Sequence, residues 1–365
     1  MDHNLDILKR MMEDLRRAPT LFQPTNYWRT YEPDIIEYLE RNGLKNFRSY
    51  DTFRLASFGA GTYRCAPLSD HYKSMLGAPG LAARLVRVVC RAIESVGRRW
   101  PILVFFNIVR RLEDEIHYLN EFRELQSSEY RCSKLLDQLS GLSVLDAIED
   151  SCLGNPYDVF QVNKKKYTLS FLKYFNQLAY IATHLDVKRI KVVVELGSGY
   201  GGCSEVFVKS LPNVSYFNFD IPPQLYVSQQ YLSSAFPGRV YGYEHFLRGE
   251  GLDTGRFRVF CLPSWKFGVI TESNVDLFIN SASFQEMEPE VVENYYRILR
   301  HRVQYVYLWQ LTYGTYKKTS EASGGCVHPL KAQDYLALFR DFTAIAIDEH
   351  YRVENPYTHL LLERV

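Results

Sequence analysis

Lys191-Val192-Val193-Val194-Glu195-Leu196-Gly197-Ser198-Gly199-Tyr200-Gly201-Gly202 passes from a β-branched run into a glycine turn. Three successive valines suit a strand buried on both faces of a parallel sheet. The glycines then allow a sharp turn and close approach to a ligand without Cβ collisions. Gly197, Gly199 and Gly202 satisfy GxGxxG, which alone leaves NAD and S-adenosylmethionine as equal candidates. Glu195 breaks the tie: a carboxylate beside the turn repels a pyrophosphate but suits a cationic amino acid and sulfonium. Asp220 ends the next strand about twenty residues on, where an acidic side chain accepts hydrogen bonds from ribose hydroxyls. A surface salt bridge for Glu195 and a helix N-cap for Asp220 are the structural alternatives.

Strand and helix patterns alternate around this stretch. A helix over Tyr167 to Leu185 leads into strand Lys191 to Leu196, then helix Gly202 to Leu211, strand Val214 to Asp220, helix Pro223 to Ala235 and strand Arg239 to Tyr243. An extra strand Arg258 to Leu262 follows, then strand Val275 to Asn280, helix Glu290 to His301, strand Gln304 to Gln310 and helix Ala332 to Phe339. Such alternation predicts a Rossmann-like, doubly wound α/β sheet, mostly parallel, with helices on both faces. The last two strands, Ala344 to Asp348 and His359 to Glu363, have too short a connection for a parallel crossover, so they form an antiparallel C-terminal hairpin at the sheet edge. Nicotinamide-binding sheets are typically all parallel, so this hairpin favours the class I methyltransferase form. Before about Asp150 the pattern is mainly helical: Leu5 to Arg17, Pro33 to Arg41, Gly80 to Val96, Ile102 to Leu125 and Ser133 to Leu139. Two domains are expected, 1–160 as a mainly helical N-terminal acceptor or cap domain and 161–365 as the Rossmann-like domain.

Composition narrows the classes further. The 365 residues carry a formal charge of +1, which makes no overall case for a nucleic-acid partner. Seven cysteines (Cys65, Cys90, Cys132, Cys152, Cys203, Cys261, Cys326) show no CxxC pair or cluster, which fits neither a disulfide framework nor a zinc site and implies a reducing, cytoplasmic compartment. The first twenty residues are charged throughout and do not resemble a secretory leader. Trp100 to Val109, the most apolar run, is about half the roughly 20 residues of a transmembrane helix, and the arginines flanking it suit a solvated basic face around a core helix better than a membrane surface. No transmembrane segment is expected, and a homo-oligomer is compatible with the chain. No acidic pair with metal-site spacing stands near the strand ends, and neither GxSxG nor HExxH occurs.

The segments Gly154-Asn155-Pro156, Glu195 to Gly202, Asp220-Ile221-Pro222-Pro223 with Leu225-Tyr226, and Asn280-Ser281-Ala282-Ser283-Phe284-Gln285-Glu286-Met287 resemble the bacterial sugar O-methyltransferase family. The resemblance runs from about Tyr27-Trp28 to the carboxyl end. It implies an S-adenosylmethionine-dependent enzyme of polysaccharide or glycosyl-metabolite biosynthesis that methylates a sugar hydroxyl.

Methyl transfer to a hydroxyl is an in-line displacement, which needs the acceptor oxygen held about 3 to 3.5 Å from the methyl carbon and a base for its proton. Ligands bind at carboxyl ends of strands in open α/β sheets. Glu195, Gly197, Ser198, Gly199, Tyr200, Gly201, Asp220, Ile221, Asn280 and Ser281 are the candidate cofactor residues. Glu286 is the first choice of base, a helix first-turn acid being its structural alternative. His328, in a loop after the fifth strand, ranks second. Gln285, Asn155 and Tyr157 are candidates for the acceptor, although Gln285 also suits helix capping and Asn155-Pro156 a turn. Trp265 offers a flat face for adenine or a piece of core. A peptide or amine acceptor, and a non-catalytic binding protein of the same fold, are the competing functions. With Glu195, the glycine turn and Asp220 all present, the non-catalytic reading is disfavoured.

Overall fold

The computed structural model describes residues 1, 3–49, 57–59, 122–272, 274–319, 325–350 and 356–365. The chain divides into two compact units, one of Met1–Thr62 with Ser133–Val365 and the other of Tyr63–Cys132. Of the second unit only 122–132 are described, and they are helical. Expected helices Gly80 to Val96 and most of Ile102 to Leu125, with the apolar run Trp100 to Val109, lie outside the described residues.

In chain order the described elements are α1 (Leu5–Leu15), α2 (Asn26–Asn42), α3 (122–139), β1 (Phe160–Val162), β2 (Lys165–Tyr167), α4 (Leu169–His184), β3 (Val192–Leu196), α5 (Gly202–Ser210), β4 (Ser215–Asp220), α6 (Pro222–Ala235), β5 (Val240–Tyr241), α7 (Tyr243–Leu247), β6 (Val259–Pro263), β7 (Val275–Ser281), α8 (Pro289–Leu299), β8 (Val303–Leu311), α9 (Ala332–Leu338), β9 (Phe342–His350) and β10 (Tyr357–Arg364). Short 3-10 turns lie between several of them. β3 to β10 form one sheet in the order β5-β6-β4-β3-β7-β8-β10-β9. Every pair from β5 to β8 is parallel, and β10 runs antiparallel to both β8 and β9. This is the Rossmann-like class I methyltransferase topology expected from the alternating pattern, with the antiparallel terminal hairpin in place. β3 has β4 on one side and β7 on the other, so the winding direction reverses there and opens a crevice at the strand ends.

The sheet is held by an aromatic core. Val194 and Leu196 of β3 pack with Phe217, Phe219, Phe260 and Phe278, and the Phe217 and Phe260 rings stack at 4.3 Å. α4 starts at Thr168, whose hydroxyl accepts the Phe171 amide at 3.1 Å. α1 buries Leu8, Met11 and Leu15, spaced three and four apart, along one face.

The N-terminal helices belong to the sheet's own unit. The Tyr226 hydroxyl of α6 meets His3 Nδ1 at 2.9 Å, Tyr243 of α7 donates to Asp14 at 2.7 Å, and Ser264 donates to the Phe22 carbonyl at 3.1 Å. The chain therefore divides elsewhere than at 160/161, because Met1–Thr62 belongs to the sheet's unit and the second unit interrupts that unit in sequence. Three smaller expectations also differ. α2 begins at Asn26 rather than Pro33, which sits inside the helix. Residues 122–139 are one helix without the break expected between Leu125 and Ser133. The hairpin β1–β2, closed by Asn163 and Lys164 at positive φ, was not expected at all. Among the described residues no helix is long and apolar enough to cross a membrane.

Candidate functional site

The glycine turn rests on Asp220. The Gly199 amide donates to Asp220 Oδ2 and the Ile221 amide to Oδ1, both at 2.8 Å, while Gly197 N–H bonds the Phe219 carbonyl at 2.8 Å. Burial pushes the Asp220 carboxyl up to about 7, although the two amides draw it down. Ile221, not Asp220, is the N-cap of α6. Gly199 has φ +56°, and a Cβ there would stand 2.6 Å from the Ser57 carbonyl oxygen. The glycine is thus required by the chain's own close approach, with Ser57 to Gly59 lying over the turn.

Glu195 lies deeper than the crevice. It is 1% exposed and accepts a 3.0 Å hydrogen bond from Tyr216. Burial pushes it up to about 8, with Tyr216 and Cys203 drawing it down and Asp220 raising it. Tyr200 is also buried: its hydroxyl meets Ser170 at 3.2 Å and the Arg48 guanidinium lies 4.8 Å from its ring centroid. Arg48 in turn forms a bidentate pair with Asp150 at 2.8 and 3.0 Å, both side chains fully buried. Burial alone would raise the Asp150 carboxyl, but Arg48 holds it below its ordinary value. Ser198 is 3% exposed, and Gly201 donates to its carbonyl at 2.9 Å.

Across the crevice, Asn280 acts as a joint. Its Nδ2 donates to the Leu196 carbonyl at 3.0 Å, while its Oδ1 accepts the amides of Ser283 and Phe284 at 3.2 and 2.7 Å and Gln310 Nε2 at 2.8 Å. The Gln285 side chain accepts the Leu311 amide at 2.8 Å, and its own amide donates to Gln310 Oε1 at 3.1 Å. These bonds weld the segment after β7 to β3 and β8: Asn280 takes the first amides of the turn that follows, whereas Gln285 reaches the end of β8 instead of capping α8. Ser281 accepts from Gln177 Nε2 at 2.9 Å.

The weld delivers Glu286. Its carboxyl accepts the Trp28 indole N–H at 3.0 Å, and its carbonyl accepts the Thr25 hydroxyl at 2.8 Å. Burial pushes the acid up to about 8, Trp28 draws it down, and the charge of Asp220 adds to the rise. Asp220 and Glu286 therefore lie within electrostatic reach at the ends of β4 and β7. His328 is not brought to them: its side chain is 74% exposed, with Nδ1 3.9 Å from Glu288 Oε2. Asn155 is exposed at φ +52° and donates to Asn46 at 3.1 Å, and Tyr157 and Trp265 are half-buried. Trp28, Thr25, Gln310, Arg48 and Ser57 escaped sequence reasoning. Only Tyr27-Trp28 carried a signal, as the start of the family resemblance.

Some buried polar atoms at these strand ends have no partner, namely Ser57 Oγ and both amide atoms of Gln224 in the first turn of α6. Such orphans are expected where a ligand completes the site. A separate cleft of about 720 Å³ opens at the other end of the sheet, beside Pro212, Phe236, Arg239 and Arg258. The Arg258 guanidinium there caps the carbonyls of Val208 and Leu211, a structural role. Among the described residues no three His, Cys, Asp or Glu side chains gather as metal ligands.

No protein-family model matches the chain, and no curated protein matches it. Solved structures with similarity include the mitomycin 7-O-methyltransferase MmcR, at 13% identity over 53% of this chain and 57% of that one, with a TM-score of 0.33. LaPhzM aligns at 14% identity over 54% and 59%, with a TM-score of 0.35. The magnesium protoporphyrin IX methyltransferase ChlM of Synechocystis PCC 6803 aligns at 11% identity over 53% and 83%, with a TM-score of 0.37. The chain spans less than two thirds of the first two. At such identities and scores, the reading of the site rests on its own geometry.

Proposed function

We propose that the chain is an S-adenosylmethionine-dependent O-methyltransferase whose acceptor is a hydroxyl of a sugar or glycosylated small molecule. The observation that carries the reading is the Asp220 carboxylate joined to the Gly199 amide at the switch point, with Glu286 within reach of its charge. The residues fit the cofactor. Asp220 keeps lone pairs for ribose hydroxyls, and the orphaned Gln224 amide and Ser57 hydroxyl offer further partners. When bound, the cofactor supplies an electrophilic methyl group. Glu286 accepts the acceptor's proton at its carboxylate, and the Asn280–Gln310–Gln285 amides hold the segment that carries it. Support for a sugar comes from the family resemblance, and the aromatic rings of α2 beside Glu286 are compatible with it.

Calorimetry of the purified protein tests the cofactor. S-adenosylmethionine and S-adenosylhomocysteine are expected to bind and NAD is not, and binding of NAD alone would overturn the proposal. The acceptor is sought by comparing glycans and metabolites of cells with and without the gene for a mass difference of one methylene.

A further inference from the structure

The first turn of α2 grips the Glu286 segment at two points, through Thr25 on the carbonyl and Trp28 on Oε2. Between them Asn26 donates to the Gly325 carbonyl at 3.1 Å and accepts from Lys318 at 2.8 Å, so the same turn also fastens the chain after β8. The Tyr27 ring packs edge-on against the indole at 5.5 Å and is itself 5.2 Å from Tyr31 and 5.8 Å from Tyr316.

We propose that Trp28 is the positioning residue for Glu286, fixing which carboxyl oxygen handles the proton. This rests on the reading of Glu286 as the base. An indole N–H only donates, and in a carboxylic acid the carbonyl oxygen accepts better than the hydroxyl oxygen, so the indole favours an unprotonated Oε2. With Oε2 engaged, a proton taken up by Glu286 goes preferentially to Oε1. Among the described residues, the other groups whose charge reaches Glu286 are Asp220 at the end of β4, Tyr27 of α2, Tyr316 after β8, Cys326, and Tyr335 of α9. Each is neutral or negative, so none of them favours the carboxylate. Trp28 is the contact that does.

The test needs neither acceptor nor cofactor. Protein carrying glutamate labelled with carbon-13 at Cδ is titrated by NMR, the Glu286 signal being assigned by its loss in Glu286→Gln. The wild-type midpoint is expected near 8, and in Trp28→Phe it should rise by roughly one unit, since a donor to the charged form is gone. In the wild type the Trp28 indole proton should shift with the same midpoint, and Glu286→Gln should flatten it. That signal decides the matter if Trp28→Phe does not fold. An indole proton blind to Glu286, or an unchanged midpoint in Trp28→Phe, overturns the proposal. S-adenosylhomocysteine calorimetry on the same samples separates the two readings: absence of binding with the coupling intact sinks the methyltransferase and leaves the Trp28–Glu286 contact standing.

Discussion

Glu286 is held by an indole at one oxygen and stands within reach of a second acid, an arrangement that suits a group meant to exchange a proton. Glu286→Gln keeps the shape and the acceptor for Trp28 but removes the basic oxygen. Turnover of the identified acceptor should fall by roughly 10² to 10⁴ with cofactor affinity little changed. His328→Gln, at an exposed position, should leave the rate near wild type. A large loss at His328 and a small one at Glu286 would reassign the base. Because the folded Glu286 carboxyl lies at about 8, its basic form accumulates as pH rises, so the rate should climb toward a plateau above that value. Glu286→Gln should abolish this limb of the pH profile.

At the scale of elements, the glycine turn is shaped by what packs against it. Gly199→Ala places a Cβ against the Ser57 carbonyl at a positive φ, and should cost about 1 to 3 kcal/mol in urea unfolding, besides weakening cofactor binding. Wild-type stability in this variant would mean that Ser57 to Gly59 does not lie over the turn. The sheet was legible because Val192 to Val194 is an apolar run, and Tyr216 to Phe219 and Val275 to Ile279 are apolar but for Asn218 and Asp276, each closed by a polar residue. β1 and β2 were not, since three residues are too few for the alternation of Phe160-Gln161-Val162 to register and β2 opens on Lys165-Lys166. Pro33 misled for a related reason: proline usually marks a first helical turn. Here the preceding turn is secured by tertiary contacts of Thr25, Asn26 and Trp28 that no local pattern encodes. The candidate site divides the same way. Glu195, the glycines and Asp220 are written in adjacent strand ends, whereas Trp28 and Arg48 gain their roles from partners 258 and 102 residues away.

For the whole molecule, buried acids set how stability follows pH. Folding raises Glu195 from 4.5 to about 8 and Asp220 from 3.8 to about 7. Between the unfolded and folded values the native state holds protons that the unfolded chain has released, so these sites remove stability as pH rises through that window. Glu195→Gln deletes one such titration. Its stability relative to wild type should grow with pH by up to about 1.4 kcal/mol per unit between about pH 5 and pH 8. A difference independent of pH, measured by urea unfolding across that range, would show that Glu195 is ionised throughout. The docking of α1 and α2 onto the sheet also governs the order of events at the ribosome. His3 waits for Tyr226, Asp14 for Tyr243 and Thr25 for Glu286, separations of 223, 229 and 261 residues. At roughly 5 to 20 residues per second, the first helices emerge tens of seconds before anything exists to cover Leu8, Met11 and Leu15. α1 is made well before α6 and α7 and docks only after them, and during that interval its apolar stripe is open to a chaperone.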